Sequence, residues 1–364
     1  KQINLFFKKQ NMKKKSLNAK KKIHKKLLNY LKNPLISKIF RDFENFLLNY
    51  NDTKSFAVAV SGGPDSLALT YLSKCFSILN DVNVKYYHVD HKLRYESTEE
   101  AKKIGLLLKS FDINCKTIVW KGQKPKSNIQ SVSRNKRYSL IINQIIKENI
   151  NHILVAHQLD DLYENFLIRL FRGSGLKGLS SFSKSNSESS KGVIILRPLI
   201  KYNKKTLLYI TNKIFNYYIN DPSNSNENFK RTRIRKLINN LKQEGLDENK
   251  LKLTISNLSD SNSAIEHFVR ENINLNSSYS KSNLTYIIRA NFFAQPHEVI
   301  FRSLSNILKK VGKKYYSSRG KSLNQMIKRI KSKKFNKATI SGCIIEKISN
   351  SLIIYKENRK KSQN

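Results

Sequence analysis

The apolar positions of this chain follow two rhythms. Short, nearly continuous apolar runs (FAVAV at 56–60, VKYYHV at 84–89, KTIVW at 116–120, HILVA at 152–156 and GVIILRPL at 192–199) have the length and residue types of strands. Stretches of helical spacing separate them. Leu67, Leu69, Tyr71, Leu72, Cys75 and Phe76 follow the first run. Ile104, Leu107, Leu108 and Phe111 follow the second, behind a capping-box pattern of Ser97 and Glu100. Ile129, Val132, Leu140, Ile141 and Ile145 place a helix over 128–148, LDDLYENFLIRLF places one from 159, and another is expected near 203–218. Strands that alternate with helices, and that are apolar on both faces, form a parallel sheet covered on both sides. The predicted fold class is therefore α/β, a doubly wound parallel sheet.

The rhythm changes after Asp221. DPSNSNEN is polar and turn-rich, residues 231–275 read as charged helix, and SSYSKSN at 277–283 reads as a linker. The last 80 or so residues carry less helical signal and end in ATISGCIIEKISNSLIIYKE, a β-hairpin pattern. The expected organisation is a basic tail over 1–35, an α/β domain over 36–222, a basic helical domain over 223–280 and a small α+β domain over 281–364.

Charge narrows the partners. Lys and Arg number 69 against 26 Asp and Glu, a net +43 over 364 residues. Such a field draws in polyanions, nucleic acid first and an anionic membrane surface second. A general Lys, Asn and Ile bias accounts for part of the excess. No apolar run reaches the roughly 20 residues of a membrane span. The three cysteines, Cys75, Cys115 and Cys343, form no CxxC pair, which argues against a zinc knuckle, an iron–sulfur site or a disulfide scaffold and fits a reducing cytoplasm. The N-terminal KQINLFFKKQNMKKKSLNAKKKIHKKL lacks the apolar core of a secretory signal. It reads as a transit-type segment, a nucleic-acid-binding tail, or sequence ahead of a start at Met12.

Chemistry concentrates where the first strand meets its helix, in AVSGGPDSLAL. Gly62 and Gly63 allow a tight turn and close approach to a ligand. Pro64 suits the first turn of a helix, whose free N–H groups favour a phosphate. Ser61 and Ser66 add hydroxyls. Asp65 would repel bare phosphate, so it implies a cation, Mg²⁺, between carboxylate and phosphate. No Gly-Lys-Ser/Thr follows, so this is not the Walker loop. A structural turn with no ligand is the plain alternative.

SGGPDS resembles the pyrophosphate loop of the N-type ATP pyrophosphatases, the PP-loop superfamily, which splits ATP between its α- and β-phosphates. Further motifs choose among its members: HVDHKLR from His88, SVSRNKRY with Arg134 and Arg137, AHQLDDLYENFLIRLFRGSGLKGLSS from Ala156 to Ser181, RPLI at 197–200, and DPSNSNENFKRTRIR from Asp221 to Arg235. In this order they resemble the tRNA(Ile)-lysidine synthetase family over residues 50–240, and more loosely in the C-terminal ISGCIIEK. The family's AHHxDD run here reads AHQLDD, with Gln158 replacing its second His; Leu162 and Asn165 stand where Gln and Thr are common.

The resemblance implies a carbon–nitrogen ligase that uses ATP and Mg²⁺ to join free L-lysine to the wobble cytidine of an isoleucine tRNA with a CAU anticodon. It implies ATP binding by Ser61, Gly62, Gly63, Pro64, Asp65 and Ser66, and catalysis by Asp65, Arg134, Arg137, His157 and Asp161. Mg²⁺ would sit on Asp65 and Asp161, and tRNA on Lys230, Arg231, Arg233 and Arg235. His157 and Asp161 stand four residues apart and would share a helix face if the helix starts early; Asp160, Asp161 and Glu164 read otherwise as a solvated acidic first turn. His88 and His91 either pack at a strand end or face the site. The glycine-rich Arg172–Ser181 segment is a substrate cover or a connector. No membrane is expected, and both monomer and homodimer stay open. An RNA thiolase or a small-molecule amidoligase of the same superfamily is the alternative; a thiolase would call for sulfur-carrying cysteines.

Overall fold

The computed structural model describes residues 18–50, 53–123, 125, 129–183, 186–188, 191–220, 230–313, 320–332 and 334–357. The first half of the basic tail and the polar break at 221–229 lie outside the described residues. The chain divides into two compact units, Lys1–Ile255 and Ser256–Asn364.

The first unit holds helices α1 (residues 18–29) and α2 (Pro34–Leu48), then strand β1 (Ser55–Val60) leading into α3 (Pro64–Asn80). β2 (Asn83–Asp90), α4 (Ser97–Ser110), β3 (Cys115–Val119) and α5 (Ile129–Lys147) repeat the alternation. β4 (His152–Leu154) leads into α6 (Leu159–Leu170) and the short α7 (Leu176–Leu179). β5 (Asn186–Glu188), β6 (Ile194–Leu196), α8 (Lys204–Ile214) and α9 (Lys230–Gln243) complete it.

The sheet order is β3-β2-β1-β4-β6-β5. All pairs are parallel except β5 with β6. β1 shows why both faces are covered. Phe56, Val58 and Val60 enter a core with Leu67, Tyr71 and Leu207, while Ala57 enters the opposite core with Tyr87, Ile141, Ile145 and Ile153. Successive strand side chains point to opposite faces, so a run apolar at every position needs a layer on each side. β1 has parallel neighbours on both flanks, so the loop after it opens at the carboxyl edge of the sheet, where α/β folds bind ligands.

Several expectations need correction. The basic tail over 1–35 is part of the fold from residue 18 on: Leu27 is fully buried and its carbonyl accepts from the Tyr71 hydroxyl at 3.1 Å. Asp112 pins the same helix through His24 Nε2 at 2.8 Å. Lysines at most exposed positions of α1 hide this face in a reading by charge. α2 lies partly inside the stretch expected as tail; its Ile36, Ile39, Phe40, Phe43 and Leu47 follow helical spacing and all are buried. The capping box at α4 does not form; Ser97 Oγ donates to Asp90 at 2.9 Å, and Glu100 accepts from Arg94 at 3.0 Å. β5 is short and polar and gives no periodic signal.

The charged helix read over 231–275 is two helices, α9 of the first unit and α10 (Glu248–Asn276), with Gly245 at φ +93° in the turn between them. The division into units falls within α10. The stretch read as a linker at 277–283 contains β7 (Ser277–Ser280), paired with β8 (Thr285–Arg289). α11 (His297–Val311) and α12 (Gly320–Ile330) follow, then β9 (Lys337–Ile340), β10 (Cys343–Ile348) and β11 (Ser351–Lys356). The expected hairpin belongs to a five-stranded antiparallel sheet ordered β7-β8-β11-β10-β9. Its inner face (Ile288, Ile345, Leu352, Ile354) packs with Ile300, Leu304 and Leu308 of α11 and Leu323 and Met326 of α12. Among the described residues no helix is long and apolar enough to cross a membrane.

Candidate nucleotide site

Ser66 organises the loop between β1 and α3. Its buried Oγ accepts from the N–H groups of Ser61 and Gly62, both at 3.1 Å, and from the Ser61 hydroxyl at 3.0 Å, while donating to Gly63 O at 2.9 Å. One hydroxyl thus fixes a complete turn. Gly62 sits at φ +87°, and a Cβ there would lie 2.6 Å from Ile219 Cδ1. Gly63 is the N-cap residue of α3 and offers no capping side chain; Pro64 takes the first helical position. The start of α3 therefore keeps its orphan N–H groups and positive dipole end for a ligand.

Asp65 stands in that first turn. Its Oδ1 is buried without a hydrogen-bond partner among the described residues. Burial and the Asp161 carboxylate, with a smaller push from Asp160, raise its pKa to about 7 against the pull of Lys204 and Arg235. A carboxyl group so crowded and dry calls for a cation. The residues fit Mg²⁺, which takes one or two protein carboxylates and completes its shell with substrate phosphates and water. Among the described residues no group of three or more His, Cys, Asp or Glu side chains could hold a metal by itself.

α6 brings the second carboxylate. Gln158 is its N-cap: Oε1 accepts from Asp160 N–H at 2.7 Å, and Asp161 Oδ2 accepts from Gln158 N–H at 3.2 Å. The substitution of His by Gln at this position leaves a side chain able to start the helix. His157 precedes the helix, so the expectation that it shares a helix face with Asp161 is corrected. It turns instead into a basic cluster. Arg134 Nη2 lies 2.7 Å from its Nε2, with the Tyr138 hydroxyl at 3.4 Å, and Arg197 Nε donates to its Nδ1 at 3.2 Å. Burial, then Arg134, Arg197, Arg231 and Arg137, holds the ring well below its ordinary pKa, so it is neutral. Arg137 donates to His91 Nε2 at 3.2 Å. His88 packs, its Nδ1 2.9 Å from Val60 O.

Of the four basic residues read as RNA contacts, Lys230 and Arg233 are exposed while Arg231 and Arg235 are half-buried. Arg235 pairs with the buried Glu164, whose pKa burial raises despite the partner. The pKa of Arg231 is lowered by burial and by Arg134, although Asp161 and Glu164 face it. Different faces of one helix thus serve different surroundings. Arg197 stood inside the RPLI motif without a role; its signal in the sequence was an arginine closing a buried apolar strand. Cys75 is buried and Cys115 partly so, with burial pushing both thiols up to about 12.

Helix start, acidic pair and basic cluster at the carboxyl edge of a parallel sheet define a PP-loop protein. The family model of the PP-loop domain matches residues 35–242. Among curated proteins, the chain is 32% identical over 336 residues to the tRNA(Ile)-lysidine synthase of Wolbachia sp. subsp. Brugia malayi (strain TRS), covering 89% of this chain and 75% of that protein. It is 32% identical over 320 residues to the tRNA(Ile)-lysidine synthase of Orientia tsutsugamushi (strain Boryong), covering 85% and 71%. Among solved structures, the U34-tRNA thiolase NcsA from Methanococcus maripaludis superposes with a TM-score of 0.51 at 18% identity, over 64% of this chain and 78% of that one; this is a likeness of fold. The chain belongs to the tRNA(Ile)-lysidine synthase family, PP-loop ATP-dependent ligases.

Proposed function

We propose that this enzyme joins L-lysine to carbon 2 of the wobble cytidine in an isoleucine tRNA with a CAU anticodon, in the cytoplasm. The observation that carries the reading is Asp65: a buried, unpartnered carboxylate oxygen in the first turn of an uncapped helix, with Asp161 as its strongest charged neighbour. The start of α3 takes the ATP phosphates. Asp65 and Asp161 would hold Mg²⁺, which when bound would neutralise phosphate charge against the two carboxylates. The cytosine O2 attacks the α-phosphorus and pyrophosphate leaves. The ε-amino group of lysine then attacks carbon 2 and expels AMP with the former O2. Arg134 and Arg137 meet the phosphate charge, so the protein's part is positioning and electrostatic stabilisation.

Lys230 and Arg233 contact tRNA phosphates, and the basic second unit adds to RNA binding. Both steps are tested by incubating the full chain with ATP, labelled lysine and total tRNA. ATP-dependent, RNase-sensitive label in RNA is expected. AMP release without label in RNA would assign a different nucleophile to the same loop.

A further inference from the structure

Tyr95, in the turn between β2 and α4, is 97% exposed, whereas the other exposed tyrosines among the described residues, Tyr209 and Tyr217, are 39% and 38% exposed. Tyrosine ordinarily covers its ring and wets its hydroxyl. A ring held wholly in water is either an accident of a loose loop or a surface for a flat partner. The loop that carries it decides between the two.

That loop is held at every step. Asp90, at the end of β2, is buried; its carboxylate accepts from Lys92 N–H and Ser97 Oγ at Oδ1 and from Thr98 Oγ1 at Oδ2, all at 2.9 Å. Its carbonyl accepts from Trp120 N–H at 2.9 Å. His91 packs edge-on against Trp120, with ring centroids 5.9 Å apart. Arg94 O accepts from Ser97 N–H at 3.3 Å and closes a turn with Tyr95 and Glu96 at its two central positions, while the Arg94 side chain is tied to Glu100 at 3.0 Å. A ring on so fixed a turn loses little freedom when a partner stacks on it. Place is the second observation. β1 and β2 run parallel with Val60 beside His88, so the turn opens at the same edge of the sheet as SGGPDS. A Cβ at Gly62 would lie 3.1 Å from Ile104 Cγ1. Ile104 stands two helical turns inside α4, which begins at Ser97, so the helix start lies about 10 Å further out. Tyr95 is therefore too far out to touch a base that reacts at the phosphate loop, yet near enough for a neighbour of that base in one strand. Glu96, exposed beside it, disfavours a phosphate there and leaves the uncharged face of a base. Bases splayed from single-stranded RNA stack on such rings, whereas a duplex hides its base faces.

We propose that Tyr95 is a specificity-determining residue whose ring stacks on an unpaired base of the RNA substrate, next to the base that reacts. The inference rests on the RNA-modifying reading of the site, which transfer of labelled lysine by the unmodified chain checks separately.

The test is the affinity of the full chain, unmodified and as Tyr95→Ala, Tyr95→Phe and Tyr95→Trp, for isoleucine tRNA with a CAU anticodon and for a fully paired RNA duplex. Tyr95→Ala should weaken tRNA binding by roughly 10- to 100-fold, the loss of one base stack. Its log–log salt slope should not change, because no phosphate contact is lost, and duplex binding should stay as in the parent. Tyr95→Phe and Tyr95→Trp, which keep a flat ring, should stay within about threefold of the parent on tRNA. Melting temperature and ATP affinity should not move in any variant, since the side chain lies outside the core. Unchanged tRNA affinity in Tyr95→Ala overturns the proposal whether or not lysine is transferred. So does an equal loss on the duplex, and so does a loss in Tyr95→Phe as large as in Tyr95→Ala, which would assign the effect to the hydroxyl. A ring-dependent loss of tRNA affinity with no lysine transfer by the parent would uphold the stacking and overturn only the reaction.

Discussion

Arg235 and Arg233 lie two residues apart on α9 and should fail in different ways. Arg235 holds the carboxylate of Glu164, whose side chain is 3% exposed against 37% for the arginine. Arg235→Ala leaves that carboxylate buried and unpaired. Breaking a fully buried pair costs about 3–5 kcal/mol; the wet arginine end and the option of protonating Glu164 reduce this to about 2–3 kcal/mol. For a folded unit of this size the melting temperature should fall by about 5–10 °C. The loss should depend on pH. Unpaired, Glu164 has a folded pKa above its unfolded value of about 4.3. The deficit is therefore smallest below about pH 4.3, where both states bind the proton, and grows as pH rises towards the folded pKa, so it is smaller at pH 5 than at pH 8. Thermal unfolding of the parent, Arg235→Ala, Glu164→Gln and the double variant, at pH 5 and pH 8, forms the cycle. The double variant should be more stable than Arg235→Ala at pH 8. A melting temperature for Arg235→Ala within a degree of the parent at both pH values would refute the argument, and so would a deficit that the second substitution does not relieve.

Lys230→Ala with Arg233→Ala should leave ATP affinity unchanged and lower the log–log salt slope of tRNA binding by roughly 0.7–0.9 per lost phosphate contact, read from affinities at several salt concentrations. Asp65→Asn should abolish AMP formation yet raise the melting temperature at pH 8 without nucleotide. The raised pKa of about 7 means the parent loses stability as pH climbs from about 4 to 7, a loss the amide avoids; a melting curve unchanged at pH 8 would contradict the crowding of Asp65. Gly62→Ala forces a side chain to φ +87° and into Ile219, so ATP affinity should drop at least tenfold, measured by calorimetry. Leu27→Ala should cost about 2–5 kcal/mol in urea unfolding as a buried large-to-small change.

The sequence by itself determined what depends on local order. Continuous apolar runs alternating with helical spacing determined a sheet covered on both faces. The placement of SGGPDS between FAVAV and LALTYL determined a ligand-binding helix start, because glycine, proline and serine act there through backbone geometry within a few residues. Asp65 could be read for the same reason. Tertiary structure decided everything that rests on distant partners. That Asp161 crowds Asp65 requires β4 to lie beside β1. The two arginines on His157 come from α5 and from just past β6. Arg235 differs from Arg233 only because one face of α9 meets a buried glutamate on α6 and the opposite face meets solvent. The lysine-rich α1 belongs to the core through Leu27 and Asp112. Charge and pattern along the chain say which residues can bind; packing selects the neighbours, and with them the protonation and the role.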